Sequence, residues 1–143
     1  AAVSMQRRDK IKAQALMYPW LDIPGEHQSF RDHAQAPVLT AADTIAFDAL
    51  RHGDHPRPTD ATYFPLLGGD FSDLPRCFIS TAEFDPLKDE GQLYAQLINY
   101  SGGNAEIIEE KGLIHSHMRA RHDVTRAAQA FATFTNALKI LAQ

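Results

Sequence analysis

Two polar residues stand where acid–base chemistry is possible, each following a short apolar run. Asp85 follows the run Cys77–Thr81, and His115 follows the run Ala105–Glu110 through a glycine-containing link. A carboxylate after one strand, then a helix, a second strand and a loop histidine, is the order of the last two members of a Ser-Asp-His triad. The pattern therefore predicts that Asp85 is the acid and His115 the general base of a nucleophilic hydrolysis.

Each of the two residues also has an ordinary structural explanation when taken alone. Asp85 precedes a proline and a predicted helix, so a turn residue or a helix cap is an alternative for it. His115 is alternatively an exposed or capping loop residue, and His117 and His122 are nearby competitors. A triad histidine needs a loop directly after a strand, and this position favours His115.

The third member of such a triad is not found in the sequence. No Gly-x-Ser-x-Gly turn and no His-Gly-Gly run occurs, and Ser116 is too close to His115 to serve it and a substrate together. The other serines do not stand in a nucleophile turn. They are Ser4, Ser29, Ser72, Ser80 and Ser101. The sequence thus predicts a chain that carries the acid and the base but no nucleophile, and that is inactive by itself.

Helices and strands alternate around these residues in a way that predicts an α/β fold. Strand, helix, strand and helix with short links indicate parallel βαβ units with helices against the sheet. The predicted strands are 13–19, Cys77–Thr81 and Ala105–Glu110, and the predicted helices are 1–10, Asp89–Ser101 and Asp123–Ala142. Three strands are few for a parallel sheet covered on both faces, and no strand precedes the first helix. We therefore expect a partial domain whose N-terminal half, with the nucleophile, is missing.

The apolar patterns of the two long helices predict which sides are buried. In the helix Asp89–Ser101 the stripe is Leu93, Leu97 and Tyr100, with Tyr94 and Ile98 beside it. In the helix Asp123–Ala142 it is Val124, Ala127, Phe131, Phe134, Leu138 and Leu141. Residues 25–65, rich in His, Asp and Pro, are predicted to form a cap-like insertion with one helix near 41–51, for which Thr40 is the N-cap.

Composition narrows the function classes. The 143 residues are 44% apolar and 22% charged with a net charge of −4, typical of a globular domain and unlike a nucleic-acid-binding one. No apolar run reaches the length of a membrane span. The lone Cys77 lies in an apolar run, so we expect a buried reduced thiol and a cytoplasmic setting. The histidines of the insertion fit no zinc-ligand spacing, so no metal is expected.

The acid and histidine segments resemble those of a known family. Residues 82–91, Ala-Glu-Phe-Asp-Pro-Leu-Lys-Asp-Glu-Gly, are similar to the acid motif of the hormone-sensitive-lipase-like esterases, a branch of the α/β-hydrolase fold. Residues 112–115, Gly-Leu-Ile-His, resemble the histidine motif of that family, and residues 13–22 resemble the strand and loop after its nucleophile helix. The resemblance covers residues 1–22 and 63–143. In one departure, Ser116 and His117 stand where the family usually has Gly and Phe.

The resemblance implies a carboxylic ester hydrolase, or lipase, in which Asp85 is the triad acid and His115 the base. It implies a small-molecule ester substrate, a serine acyl-enzyme and no cofactor. It also implies a homo-oligomer joined through the last strand and helix, or association with the missing N-terminal part. Two alternatives stay open: a non-catalytic ligand-binding or interaction protein on the same fold, and an amide or peptide hydrolase.

Overall fold

A computed structural model describes residues 1–143 as three strands and five α-helices. The strands are β1 (Ala13–Met17), β2 (Arg76–Phe84) and β3 (Ala105–Ile114). The α-helices are α1 (Ala2–Gln6), α2 (Gln28–Asp32), α3 (Ala41–His52), α4 (Lys88–Tyr100) and α5 (Thr125–Leu141), and single 3₁₀ turns lie at Pro65–Leu67 and His117–Ala120.

The three strands form one parallel sheet in the order β1-β2-β3. Leu16 of β1 pairs with Ile79 of β2, and Ile79 pairs on its other side with Ile107 of β3. α4 packs on Ile79 and α5 packs on the neighbouring Phe78, so helices cover both faces of the sheet. The predicted α/β class with a parallel sheet is confirmed.

Several elements differ in length from their predictions. β3 continues four residues beyond Glu110, and β2 reaches Phe84. The charged residues there do not end the strands, because they bond across the pair: the carboxylate of Glu83 accepts a hydrogen bond from Gly112 N–H at 2.7 Å. The first helix is shorter than expected and ends at Gln6.

The predicted stripe of α4 is wrong by about one position on the helix. Tyr94 and Ile98 are fully buried with Ile79 in the core on one face of the sheet, whereas Tyr100 is 93% exposed. Glu90, at the start of the helix, is buried as well, so the buried side of α4 runs through Glu90, Tyr94 and Ile98. Two glycines end the helix as predicted: Gly103 N–H donates to Ile98 O, the closing bond of a Schellman motif.

The face of α5 is also turned relative to its prediction. Ala127, Ala130 and Phe134 are buried against Phe78 of β2 on the other face of the sheet. Phe131, by contrast, is 37% exposed. The guanidinium of Arg121 lies 5.1 Å from its ring centroid, so a cation–π contact covers the side that the core does not.

The segment 25–65 is joined to the sheet by specific polar contacts. Ser29 of α2 donates its hydroxyl to Pro86 O, and its own N–H bonds the Asp89 carboxylate of α4 at 2.8 Å. Thr40 caps α3 in a capping box with Asp43, as predicted for Thr40. None of the five α-helices combines the length and the apolar composition of a membrane span.

Candidate active site at the carboxyl edge of the sheet

The first residue after each of the three strands lies at the same edge of the sheet. Tyr18 follows β1, Asp85 follows β2 and His115 follows β3. Because the strands are parallel, their carboxyl ends share one edge, which is where α/β folds place their ligands. The structure thus gathers a phenol, a carboxylate and an imidazole from three parts of the chain.

Asp85 is fully buried, and both of its carboxylate oxygens are used. Oδ1 accepts a hydrogen bond from Leu87 N–H at 2.9 Å, and Oδ2 lies 2.7 Å from Nδ1 of His115. The bond to Leu87 fixes the carboxyl plane within the turn that begins α4. Asp85 is therefore both the turn residue considered as an alternative and the hydrogen-bond partner of the imidazole. The acid therefore has a single orientation, with one oxygen aimed at the imidazole.

His115 is bonded to Asp85 and to no other group in the chain. Its side chain is 17% exposed, and Nε2 has no hydrogen-bond partner. With Asp85 ionised, Nδ1 carries the proton and Nε2 presents a lone pair, the state of a general base. Of the competing histidines, His117 bonds the Ile114 carbonyl through Nδ1 and His122 is exposed, so neither meets Asp85.

Ser116, directly after His115, has a left-handed backbone with φ of 59°. This conformation turns the chain from the end of β3 into the 3₁₀ turn and buries the next residue, His117, to 4% exposure. Burial lowers the pKa of His117, which holds its imidazole neutral. Ser116 and His117, the two residues that depart from the family pattern, thus put a strained serine and a buried imidazole directly after His115.

Tyr18 is the residue of this site that the sequence analysis did not identify. Its ring centroid lies 4.7 Å from that of His115 and 5.4 Å from that of His117. Burial, reinforced by the charge of Asp85 and opposed by that of Arg119, raises the pKa of the phenol. Only its place before Pro19, at the end of an apolar run, marked Tyr18 in the sequence.

The loop after β1 is held by a buried carboxylate of α4. Glu90, 2% exposed, accepts hydrogen bonds from Leu21 N–H and Asp22 N–H through one oxygen. Burial raises its pKa well above the usual range, although the two N–H donors pull it down. The Asp22 carboxylate in turn lies 2.8 Å from Nε2 of His27, which ties the loop to the segment 25–65.

No serine hydroxyl is bonded to His115. Ser80 is fully buried inside β2 with no partner for its Oγ, and the Ser29 hydroxyl is committed to Pro86 O. Side chains that line a cavity of about 380 Å³ beside His115 include Val38, Leu113, Arg119 and Val124. No group of three or more His, Cys, Asp or Glu side chains is arranged to hold a metal ion.

Comparison with known proteins places these features in a family. The family described as alpha/beta hydrolase fold matches residues 1–119. The carboxylesterase NlhH of Mycobacterium tuberculosis is 36% identical over 135 residues, which are 88% of this chain and 40% of that protein. An arylesterase of Saccharolobus solfataricus is 26% identical over 122 residues, 82% of this chain and 40% of that protein. The chain thus spans less than half the length of these curated relatives.

Solved structures give the same result for the fold. The esterase rPPE, in its S159A mutant complexed with (S)-Ac-CPA, superposes with a TM-score of 0.91 and 25% identity over 99% of this chain and 47% of its own. A hyperthermophilic esterase from Pyrobaculum calidifontis superposes with a TM-score of 0.85 and 28% identity, over 99% of this chain and 48% of its own. The likeness extends across the carboxyl edge that holds Asp85 and His115.

Proposed function

Because the chain belongs to the α/β-hydrolase fold family, in its hormone-sensitive-lipase-like esterase branch, we propose that the whole protein hydrolyses carboxylic esters by a Ser-Asp-His mechanism. This chain supplies Asp85 as the acid and His115 as the base. The observation that carries the proposal is the 2.7 Å contact between Asp85 Oδ2 and His115 Nδ1, which leaves Nε2 without a partner.

In the proposed reaction His115 transfers two protons in turn, one from the serine to the leaving alcohol and one from water back to the serine. Nε2 takes the proton of a serine hydroxyl as its oxygen attacks the ester carbonyl carbon, and the Asp85 carboxylate stabilises the imidazolium that forms. The imidazolium then gives that proton to the departing alkoxide, leaving an acyl-enzyme. Water attacks the acyl carbon with one proton passing to Nε2. The imidazolium then gives that proton to the serine oxygen as its bond to the acyl carbon breaks, which releases the acid product and restores the serine hydroxyl.

The serine and the oxyanion donors belong, in this proposal, to a segment outside the 143 residues. Two observations support it: the chain spans 40% of NlhH, and β1 is an open edge of the sheet. Residues 1–143 are then part of one α/β-hydrolase domain, with 25–65 as a cap-like insertion. The proposal places the protein in the cytoplasm, since its one cysteine, Cys77, is a buried free thiol and the chain carries no disulfide framework.

Hydrolysis of a short-chain aryl ester tests the proposal. We expect no turnover by the 143-residue chain above a denatured control, because attack and charge stabilisation are both lost without a nucleophile and oxyanion donors. We expect turnover, stopped by a serine-directed covalent inhibitor, from a protein extended at its N-terminus to the length of the relatives. Binding of the ester without turnover would favour the non-catalytic alternative, and faster cleavage of a matched amide would favour the amidase. Inhibitor-sensitive turnover by the 143-residue chain itself would reveal a nucleophile among its own serines.

A further inference from the structure

We infer that Tyr18 is a positioning residue that holds the imidazole of His115 in its working orientation, an inference that rests on the proposed function. The Tyr18 ring lies between two imidazoles, tilted at 57° to that of His115 and at 74° to that of His117. The single hydrogen bond to Asp85 fixes one atom of the His115 ring but not its plane. A side chain packed on that ring limits the remaining rotation.

The backbone of Tyr18 is in a conformation that tyrosine rarely adopts. Its φ is 35°, in the left-handed region, which costs roughly 1–2 kcal/mol for a residue with a Cβ. The following Pro19 adds to the strain, because a residue before proline is driven towards extended conformations. Strain of this kind persists where surrounding contacts impose it, and it is frequent at functional sites.

One contact of Tyr18 itself and two contacts of the residues that follow it hold this backbone in place. Its N–H donates to the carbonyl of Ser80 in β2 at 2.6 Å, which continues the β1–β2 pairing one residue past the strand. Beyond Pro19, the Glu90 carboxylate bonds two backbone N–H groups of the same loop. Helix α4 also lies beside the loop at Gly91, where an added Cβ would be in ordinary van der Waals contact with Pro19 Cδ, at 3.7 Å.

The strained backbone and the ring contact have one explanation together. A glycine would adopt the left-handed conformation without cost but would leave the His115 ring uncovered on that side. Tyrosine accepts the backbone cost and supplies an aromatic surface beside the imidazole. Since misplacement of a catalytic group by about 1 Å can cost about 10²-fold in rate, orientation alone is a sufficient role for this side chain.

Four variants separate this role from simple packing. Tyr18→Phe keeps the ring, Tyr18→Leu removes it and keeps the backbone strain, and Tyr18→Gly removes both. Tyr100→Leu is the matched control, because Tyr100 is 93% exposed on α4. In the ¹⁵N-labelled protein extended at its N-terminus, we expect one His115 tautomer, with the proton on Nδ1, in the wild type, Tyr18→Phe and Tyr100→Leu. In Tyr18→Leu and Tyr18→Gly we expect loss of that single tautomer. We also expect loss of the chemical-shift change that the ring current of residue 18 causes in the ring protons of His115.

Kinetics of the N-terminally extended protein give the second measurement. We expect kcat to fall about 10- to 100-fold in Tyr18→Leu and Tyr18→Gly with KM nearly unchanged, and Tyr18→Phe to stay close to wild type. Tyr18→Gly should unfold at higher denaturant concentration than Tyr18→Leu yet show no better kcat. A purely structural role would instead make kcat follow stability.

The outcomes distinguish this inference from the proposed function. An extended wild type without esterase activity refutes the proposed function, while the tautomer measurements still decide the positioning role. An active wild type whose kcat and His115 tautomer are unchanged in Tyr18→Leu overturns the inference alone. If both substitutions prevent folding, nuclear Overhauser contacts between the two rings in wild-type chain decide it: their absence overturns the inference, and their presence together with a single Nδ1–H tautomer supports it.

Discussion

Nδ1 of His115 and Oδ2 of Asp85 lie 2.7 Å apart because of an irregularity in the pairing of β2 with β3. Ala82 pairs with Glu110, whereas Phe84 pairs with Ile114, so β3 gains two residues on β2 at a bulge. The next residues after the last pair are Asp85 and His115, which leave the sheet side by side. Bulges are frequent beside active sites because they redirect a side chain, and this one brings the Asp85 carboxylate to the His115 imidazole.

Replacing Asp85 by Asn should disable the proposed enzyme without unfolding it. The amide keeps the shape of the carboxylate but not the charge that selects the Nδ1–H tautomer of His115. By analogy with the serine-protease triad, we expect kcat of the extended protein to fall by about 10⁴. Asp22→Asn is the control, since it alters a second Asp–His contact, to His27, away from the proposed chemistry. Equal losses in the two variants would contradict the role of Asp85.

Gly112 makes the bulge possible, and Gly112→Ala should therefore disturb His115. Its φ is 74°, and a Cβ added there meets nothing within 4 Å, so the cost is purely conformational at about 1 kcal/mol. Gly102→Ala, with φ of 84° and equally open space at the end of α4, should lose similar stability in urea. Only Gly112→Ala should change the His115 tautomer in NMR spectra. If the His115 tautomer is unchanged in both variants, the bulge does not determine how Asp85 and His115 are aligned.

Ser116→Gly should stabilise the chain. Serine pays for a left-handed backbone at φ of 59°, and glycine does not, so we expect a gain of about 1 kcal/mol in the free energy of unfolding. Ser101 has an ordinary φ of −83° at the end of α4, and Ser101→Gly should give no gain. Urea unfolding of the two variants measures this, and a loss of stability in Ser116→Gly would show that its side chain contributes more than the strain costs.

The positions of Asp85 and His115 could be predicted from the sequence because apolar runs alternate with helical patterns along the chain. Asp85 and His115 each follow an apolar run, and parallel strands bring their carboxyl ends to one edge. The buried sides of α4 and α5 were less readable, because an apolar stripe does not say which of its margins faces the sheet. Tyr100 lies on that stripe and is 93% exposed, while the charged Glu90 is buried.

Tyr18 and the bulge lay beyond sequence reasoning for a different reason. A left-handed tyrosine before proline violates local preference, so only the assembled contacts from Ser80 and the loop anchored by Glu90 reveal it. The bulge depends on the relative register of two strands that are separated by a helix. Gly112 was visible as a glycine, but its φ was not.

The carboxyls of Glu90 and Glu83 should give opposite pH dependences of stability. Burial raises the pKa of Glu90 in the folded chain, so its contribution is present below the unfolded pKa near 4.5 and is lost as pH rises through the folded pKa. Glu90→Gln removes that loss and keeps an oxygen for the Leu21 and Asp22 N–H groups. Its stability relative to wild type should therefore rise with pH above about 4.5.

Glu83 supplies the matched comparison. Its hydrogen bond from Gly112 N–H lowers its pKa, so its contribution is present above the unfolded pKa and is lost as pH falls through the folded pKa. Glu83→Gln should thus be destabilised relative to wild type at neutral pH, with the difference vanishing in acid. Urea midpoints from pH 3 to 8 measure both variants. Parallel slopes for the two would refute the assignment for Glu90.

The open edge at β1 predicts that the 143-residue chain associates. β1 pairs only with β2, so the backbone groups on its other side are unpaired. A groove beside it is lined by Ile11, Ala13, Ala15, Leu138, Leu141 and Ala142, together with Lys10, Lys12 and Gln14. An unpaired strand with an apolar margin is a template for another chain.

Light scattering on the 143-residue chain should therefore report a mass above 15.9 kDa or polydisperse material. Ile11→Lys should reduce the association because it replaces an apolar side chain between Lys10 and Lys12 by a third positive charge, whereas Ile107→Lys on the opposite edge strand should not. The reverse ranking would place the contact at β3, and a monodisperse wild-type monomer with cooperative unfolding would show that these residues close their own core.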